Sequence, residues 1–211
     1  MEPEEIAALE ALSPKELDKI ILKLPPETLQ EIFPESLIIE RRATKLLERA
    51  ILRDDLNLVE RLVNTKLFYI SPEMILGAIK TGDLQLVSYL LEHSELSDED
   101  VDDFLVAAAG EGKLSLVKYF LRKGASTESE AAYAAAVEGK LTVVQYLVQR
   151  GNIRQRFLDL ILTQVAKSKN LDLIKFLVQL GANVSVSAIT LAEMGGNRSI
   201  IDYLESEYNT N

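Results

Sequence analysis

The stretch GKLSLVKYFL (residues 112–121) returns almost unchanged as GKLTVVQYLV (residues 139–148). Two more segments align with it without gaps: GDLQLVSYLL from residue 82 and KNLDLIKFLV from residue 169. Weaker copies, DDLNLVERLV and GNRSIIDYLE, begin at residues 54 and 196. Successive starts are 27–30 residues apart. Self-similarity at a near-fixed period predicts a repeat architecture.

Within each copy the apolar residues fall on one face of a helix. In the copy that begins at residue 112 they are Leu114, Leu116, Val117, Phe120 and Leu121, and this spacing is helical rather than strand-like. An alanine-rich segment precedes several copies, and alanine favours helix. Each unit is therefore predicted to be a helix, a tight turn and a second helix. Because no unit can bury its apolar face alone, the units must stack.

Glycines mark the ends of the predicted helices. Gly124, Gly151 and Gly181 each follow the first leucine of a copy by ten residues, and they suit the left-handed position that ends a helix. The Gly-Lys pairs that open two copies are not phosphate-binding loops, because such a loop needs a hydroxyl residue directly after the lysine. Leucine follows both Lys113 and Lys140. We interpret these pairs as turns and expect both lysines to point to solvent.

The combined pattern resembles ankyrin repeats. The resemblance rests on AAxxG at residues 108–112 and 135–139, on the L-x-(L/V)-V-x-Y run, and on GAS and GAN at Gly124 and Gly181. It covers roughly residues 43–204. It implies an all-α, ankyrin-type helical solenoid of about six helix-turn-helix repeats. It also implies a non-enzymatic protein that binds a protein partner through the repeat surface and needs no cofactor.

The sequence departs from the ankyrin pattern in two ways. The Thr-Pro-Leu-His signature is missing, because EAAY (130–133) and LILT (160–163) occupy its place. The period is shorter than the ~33 residues of the family. We therefore expect shortened or absent β-hairpins and no threonine–histidine network. Such uneven repeats resemble those of large viruses and intracellular bacteria, so a host-directed effector is a further hypothesis.

The ankyrin pattern also implies where a partner binds: on a concave face formed by the residues before each turn. Tyr133, in the former histidine slot, is the most attractive anchor, and packing against Ala107 is the alternative. The predicted partner-binding residues are Lys80, Thr81, Glu111, Tyr133, Glu138, Lys167 and Met194. The same pattern exposes Gly110, Val137 and Ser168 beside them.

We predict three segments: an N-terminal helical segment (1–42), the repeats (43–205) and a C-terminal tail (206–211). Ser13, Pro14 and Glu16 form a strong helix start. Two further helices are expected in PPETLQEIF, ended by a proline, and in PESLIIERRATKLLERAIL. The segment is interpreted as a cap on the repeats.

An F-box-like module is the alternative for this segment. LPPETLQEIF resembles the opening of an F-box, which would recruit a ubiquitin ligase while the repeats hold the target. The residues that carry this resemblance are Leu24, Pro25, Leu29, Ile32 and Phe33.

Composition excludes several classes of function. The formal charge of −10 disfavours binding to nucleic acid and to anionic membranes. The chain has no cysteine, so a Cys–His metal site cannot form, and the single histidine, His93, is predicted to lie on the surface. No apolar run is long enough to cross a membrane. We expect a monomeric, intracellular, cytoplasmic protein with neither a metal nor a nucleic-acid partner.

An aromatic residue recurs at one position of the second helices. We interpret it as packing between repeats, with a binding stripe as the alternative. The aromatic residues are Tyr89, Tyr119, Tyr146, Phe176 and Tyr203.

Ser97 is predicted to cap the helix that follows an acidic run.

Overall fold

The computed structural model describes residues 12–25, 28, 37–66 and 69–210. Within these ranges the regular structure is helical and no strand is present, which confirms the all-α prediction. The helices are α1 (Pro14–Lys23), α2 (Leu37–Leu52), α3 (Leu56–Val63), α4 (Pro72–Thr81), α5 (Leu84–Glu92), α6 (Asp98–Gly110), α7 (Leu114–Arg122), α8 (Glu128–Val137), α9 (Leu141–Gln149), α10 (Gln155–Val165), α11 (Leu171–Gln179), α12 (Val186–Gly195) and α13 (Arg198–Thr210).

The helices form two compact units, residues 1–96 and 97–211. In the second unit α6 to α13 form successive helix pairs, and the first helix of each pair packs on the first helix of the next. In the first unit α2 with α3 and α4 with α5 form two pairs, and α2 packs on α4. The predicted helix-turn-helix repeats are therefore confirmed within each unit.

The turn inside each pair explains the recurring Gly-Lys stretch. Gly112 has a left-handed φ of 74°. The N–H of Lys113 donates to the carbonyl of Ala108 at 2.9 Å, and the N–H of Gly112 donates to that of Ala109 at 3.0 Å. The same two bonds close the turn at Gly139. These bonds satisfy carbonyls that the end of a helix otherwise leaves unpaired, so the stretch is a helix-ending turn as predicted.

The prediction that the lysines of these turns point to solvent is wrong. Lys113 and Lys140 are both half-buried. A Cβ built on Gly112 would lie 2.9 Å from Cδ of Lys140, so the aliphatic stem of Lys140 covers the turn of the preceding pair. A lysine can bury its stem while its ammonium group stays in water. The residue therefore contributes to packing between repeats.

The glycines that end the second helices also adopt the predicted conformation. Gly124, Gly151 and Gly181 all have positive φ. In the first pair, residues other than glycine adopt the left-handed conformation at the turn between the helices, Asp54 (φ 57°), and after the second helix, Lys66 (φ 51°). A left-handed conformation costs an L-residue about 1–2 kcal/mol, so this pair carries local backbone strain that the later pairs avoid.

The connections between pairs in the second unit contain no hairpin. Residues 123–127, 150–154 and 180–185 link one pair to the next without any strand. The expected loss of the projecting β-hairpins is therefore confirmed for these repeats. None of the helices in the described ranges is long and apolar enough to span a membrane.

The N-terminal helix α1 begins as predicted. The N–H of Ser13 donates to the Glu16 carboxylate at 2.8 Å, and the N–H of Glu16 donates to the Ser13 hydroxyl, which completes a capping box. Ser97 and Asp100 form the same arrangement at α6. The helix expected in PPETLQEIF lies outside the described residues, except for Pro25 and Thr28.

Helix α1 is fastened to α2. Leu17 and Ile21 are buried, and the guanidinium of Arg42 donates from two nitrogens to the carboxylate of Asp18. These hydrogen bonds raise the pKa of Arg42 above its usual value. Helix α1 therefore covers one side of α2, the first helix of the first pair.

The last pair carries charges where inner pairs carry apolar residues. Glu193 is exposed at the position where Ala109 and Ala136 are buried. Glu205 is exposed at the position of the buried Val148. Helix α13 continues to Thr210, into the segment assigned to the tail. A polar outer face is the feature that terminal repeats need for solubility.

Candidate interaction surface

The structure places the predicted contact residues at the ends of first helices. In the first unit Lys80 is exposed, whereas Thr81 is half-buried and its hydroxyl donates to the carbonyl of Ala78 at 2.8 Å. In the second unit Tyr133 is half-buried. The exposed residues of the predicted set in the second unit are Glu111, Glu138, Lys167 and Met194.

Five apolar side chains lie on the outer face of the first helices in the second unit, and polar residues such as Lys167 and Thr163 stand at the same offsets from a turn. Val137 and Met194 stand two residues before a turn and are 40% and 78% exposed. Val106 and Tyr133 stand six before and are half-buried, and Leu160 stands nine before and is 44% exposed. Steps of three and four residues keep these positions on one helix face. We call these five residues the first-helix stripe. Sequence reasoning missed Val106 and Leu160.

Small residues on the opposite face of the first helices explain why the stripe points outward. In α8 the alanines at 131, 132, 135 and 136 are all buried. Such small side chains allow adjacent first helices to approach closely. The large side chains Tyr133 and Val137 therefore have room only on the outer face.

Tyr133 is held by the next pair. Its ring centroid lies 6.2 Å from that of Phe157, at an interplanar angle of 65°, an edge-to-face geometry that aromatic pairs prefer. The guanidinium carbons of Arg154 and Arg156 each lie 4.9 Å from the centre of the Phe157 ring. The packing partner identified by the structure is therefore Phe157, where the sequence had suggested Ala107. The half-buried Tyr133 is a pre-oriented side chain with part of its surface in solvent.

A recurring polar position braces one pair against the next. Ten residues before the turns at 112, 139 and 169, the first helix carries a hydrogen-bond acceptor that binds a backbone N–H of the loop following its pair. The donor–acceptor contacts are Ser126 to Asp102 (2.6 Å), Arg154 to Ser129 (2.9 Å) and Asn183 to Asp159 (2.7 Å). These bonds do the bracing that the resemblance assigns to a threonine–histidine network. The sequence places a polar residue at the same distance before these three turns, but the bracing role of that residue was not predicted.

Glu128 is a buried carboxylate with a structural role. Its oxygens accept from Nε of Arg150 at 3.1 Å and from Nδ2 of Asn152 at 3.0 Å. The first of these bonds raises the pKa of Arg150. No group of three or more potential metal ligands is found in the described part of the chain. The contact ties the start of α8 to the loop after α9.

The recurring aromatic position lies between repeats. Nζ of Lys118 lies 5.1 Å from the centre of the Tyr146 ring in the next pair, and Nζ of Lys175 lies 5.7 Å from that of Tyr203. Both tyrosines are half-buried. These cation–π contacts link successive second helices and favour the packing interpretation. His93 is exposed as predicted.

A comparison with protein families decides the identity of the repeats. The family model for ankyrin repeats, in three copies, matches residues 75–159 and 104–188. Together the matches span 75–188, which is 114 of 211 residues. The chain belongs to the ankyrin-repeat family. No curated protein matches this ankyrin-repeat chain.

Membership fixes the general role, because ankyrin repeats are protein–protein interaction modules and are typically non-enzymatic. The F-box-like resemblance stays a prediction. Leu24 is half-buried and Pro25 is exposed, while Leu29, Ile32 and Phe33 lie outside the described residues. The family match begins after all five residues.

Proposed function

We propose that this ankyrin-repeat protein binds a partner protein through the first-helix stripe of its second unit. The observation that carries the proposal is the exposure of Val137, Leu160 and Met194 on a fold that buries most of its other large apolar side chains. These three residues lie on the same outer face of successive first helices, and apolar residues exposed on one face mark interaction surfaces.

The surroundings of the stripe suggest the charge of the partner. Glu111 and Glu138 are exposed at the turns beside it, and Lys167 is exposed at the position equivalent to Val137 and Met194, so a partner with residues of both charges around an apolar centre would be complementary. The packing of Tyr133 on Phe157 limits the entropy lost when a partner orders that ring. Tyrosine is also enriched among residues that dominate binding energy.

The proposed role is recognition without catalysis. Several polar groups that could serve chemistry are engaged in the fold: Asp102 and Asp159 hold loops, and Glu128 holds Arg150. A monomeric state and a cytoplasmic location stay predictions from the sequence.

Affinity capture with paired variants tests the proposal. Val137→Asp/Met194→Asp places two charges on the stripe. Gln149→Asp/Gln179→Asp places the same charges on exposed positions of second helices. Partners captured by the wild-type chain should fall about tenfold or more with the first pair, because each anchor contributes about 1 kcal/mol or more. They should persist with the second. Equal capture by both variants, with unchanged melting temperatures, contradicts the proposal.

For the N-terminal segment we propose a cap. The buried Leu17 and Ile21 and the Asp18–Arg42 contact hold α1 on α2, which supports a covering role. Binding of a ubiquitin-ligase adaptor, lost on Leu29→Asp/Ile32→Asp, would instead support the F-box-like alternative.

A further inference from the structure

A cavity of about 230 Å³ lies in the first unit, between α2 and α4. The buried side chains of Ile51 and Met74 form its inner wall, and Leu52, which is 67% exposed, stands at its rim. Sites for small molecules have volumes of about 300–1,000 Å³. The cavity is below that range and is the right scale for a single apolar side chain.

Gly77 lines the cavity on the side of α4. The equivalent position, five residues before the turn, holds Arg49, Ala107, Ala134, Gln164 and Leu191 in the other first helices. A Cβ built on Gly77 would meet only ordinary contact, with Cγ2 of Ile51 at 3.9 Å, and Gly77 is absent from the glycines with positive φ. Neither backbone conformation nor close packing therefore requires glycine here.

A glycine inside a helix destabilises it by about 1 kcal/mol relative to alanine. Helix α4 therefore keeps an unfavourable residue beside an open, apolar space.

Carboxylates flank the cavity on both sides. Glu48 on α2 and Glu73 on α4 are exposed and line it. Ser71, at the N-cap of α4, makes no side-chain capping bond, and it also lines the cavity. An apolar space between two carboxylates is complementary to an apolar side chain that has a cationic neighbour.

We propose that this cavity binds one large apolar side chain, such as Leu or Phe, of a partner protein segment that carries Lys or Arg next to it. The apolar side chain occupies the space beside Gly77, and the cationic group lies beside the exposed carboxylate of Glu48. The proposal is independent of the first-helix stripe, because the cavity lies in the other unit.

Methionine methyl NMR on the full chain tests the proposal. The chain has three methionines. Met74 lines the cavity and Met194 belongs to the stripe, so ¹³C-methyl labelling reports on both surfaces separately. The probes are Gly/Ser-rich dodecapeptides with a central Leu-Lys or Phe-Arg, and the matched controls carry Ala-Lys or Leu-Glu.

Leu-Lys and Phe-Arg peptides should shift the Met74 signal saturably, with dissociation constants on the order of 10 mM for a single buried side chain. Any shift of the Met194 signal reports separate binding at the stripe and should be the same in the Gly77→Leu variant. Ala-Lys and Leu-Glu peptides should bind at least several-fold more weakly. Absence of a Met74 shift with any peptide overturns the proposal. Equal binding of Leu-Lys and Ala-Lys overturns the role of the cavity, and equal binding of Leu-Lys and Leu-Glu overturns the role of the carboxylates.

Variants add an internal check. Gly77→Leu fills the cavity and should abolish the Met74 shift, whereas Gly77→Ala should retain it; both substitutions favour helix. Glu48→Gln should weaken Leu-Lys binding about two- to fivefold, as expected for one exposed ion pair. Glu40→Gln, on the same helix but outside the cavity, should leave binding unchanged. Undiminished binding by Gly77→Leu contradicts the proposal, even if the stripe proves to bind a partner.

Discussion

Glu128 and Arg150 allow a quantitative test of how the repeats are braced. The Glu128 side chain is 10% exposed and that of Arg150 is 39% exposed. Arg150 donates from Nε at 3.1 Å and from Nη2 at 3.5 Å, and Asn152 donates at 3.0 Å. Arg150→Ala would leave a nearly buried carboxylate with the Asn152 amide as its remaining partner among these donors.

The expected cost follows from this geometry. Removing one partner of a fully buried ion pair costs about 3–5 kcal/mol, and a hydrogen bond to a charged group contributes about 1.5–3 kcal/mol. Because Arg150 is partly exposed and Asn152 remains, we expect Arg150→Ala to lower the free energy of unfolding by about 1.5–3 kcal/mol. The melting temperature should fall by roughly 3–12 °C. Glu128→Leu/Arg150→Leu should cost less than ~1 kcal/mol, because the buried charge is gone.

Urea denaturation followed by circular dichroism, with a double-mutant cycle, measures these values. As a control, Arg122→Ala removes an exposed arginine at the end of another helix and should change the free energy of unfolding by less than about 0.5 kcal/mol. If Arg150→Ala costs no more than Arg122→Ala, the contact is an ordinary solvated pair. The bracing role assigned to Glu128 would then be refuted.

Three further predictions concern backbone strain, pH and the end of the stack. Lys66→Gly should stabilise the chain by about 0.5–1 kcal/mol in urea denaturation, because glycine relieves the left-handed φ; destabilisation would contradict this. Hydrogen bonds from Ser97 lower the pKa of Asp100 in the folded protein. The ionised carboxylate therefore stabilises the fold at any pH above the pKa that it has in the unfolded chain. This stabilisation is lost as the pH falls through the lower pKa of the folded state. Asp100→Asn should therefore lower the melting temperature at pH 6, and the difference should shrink below the ordinary value of 3.8; a difference that persists at pH 2 would argue against the cap. Glu193→Ala/Glu205→Leu should promote self-association in sedimentation velocity, and a chain that stays monomeric would show that these charges do not protect the end.

The repeat and its turns could be predicted because they depend on local sequence. Gly112 and Gly139 each end a helix within the same few residues that define the copy, and their φ values follow from a local hydrogen-bond pattern. The capping box at Ser13 is equally local. The repeat period, the helices and the left-handed glycines could therefore be predicted without knowing which residues meet across repeats.

Contacts between repeats could not be read in the same way. The position of Lys140 depends on how closely two neighbouring turns approach, and that distance is set by the buried alanines of the first helices. Tyr133 meets Phe157, which belongs to the next repeat. A linear pattern identifies Tyr133 as an outward position but does not say which neighbour its ring will contact.

The two candidate surfaces differ in how far they could be predicted from the sequence. Met194 was identified by its place before a turn, whereas Leu160 lies in the middle of α10 within the LILT run, and its exposure was not predicted. No sequence pattern singles out Gly77. Its significance emerges only when Ile51 and Met74 are seen to surround the space beside it.

Site-specific photo-crosslinking tests the central claim most directly. A benzophenone amino acid replaces Met194 on the first-helix stripe or Gln179 on an exposed second helix, and each chain is irradiated in lysate with its captured partner. The account predicts a covalent adduct with the partner from position 194 and none from position 179. An adduct from position 179 alone would show that recognition uses the second helices and would contradict the account.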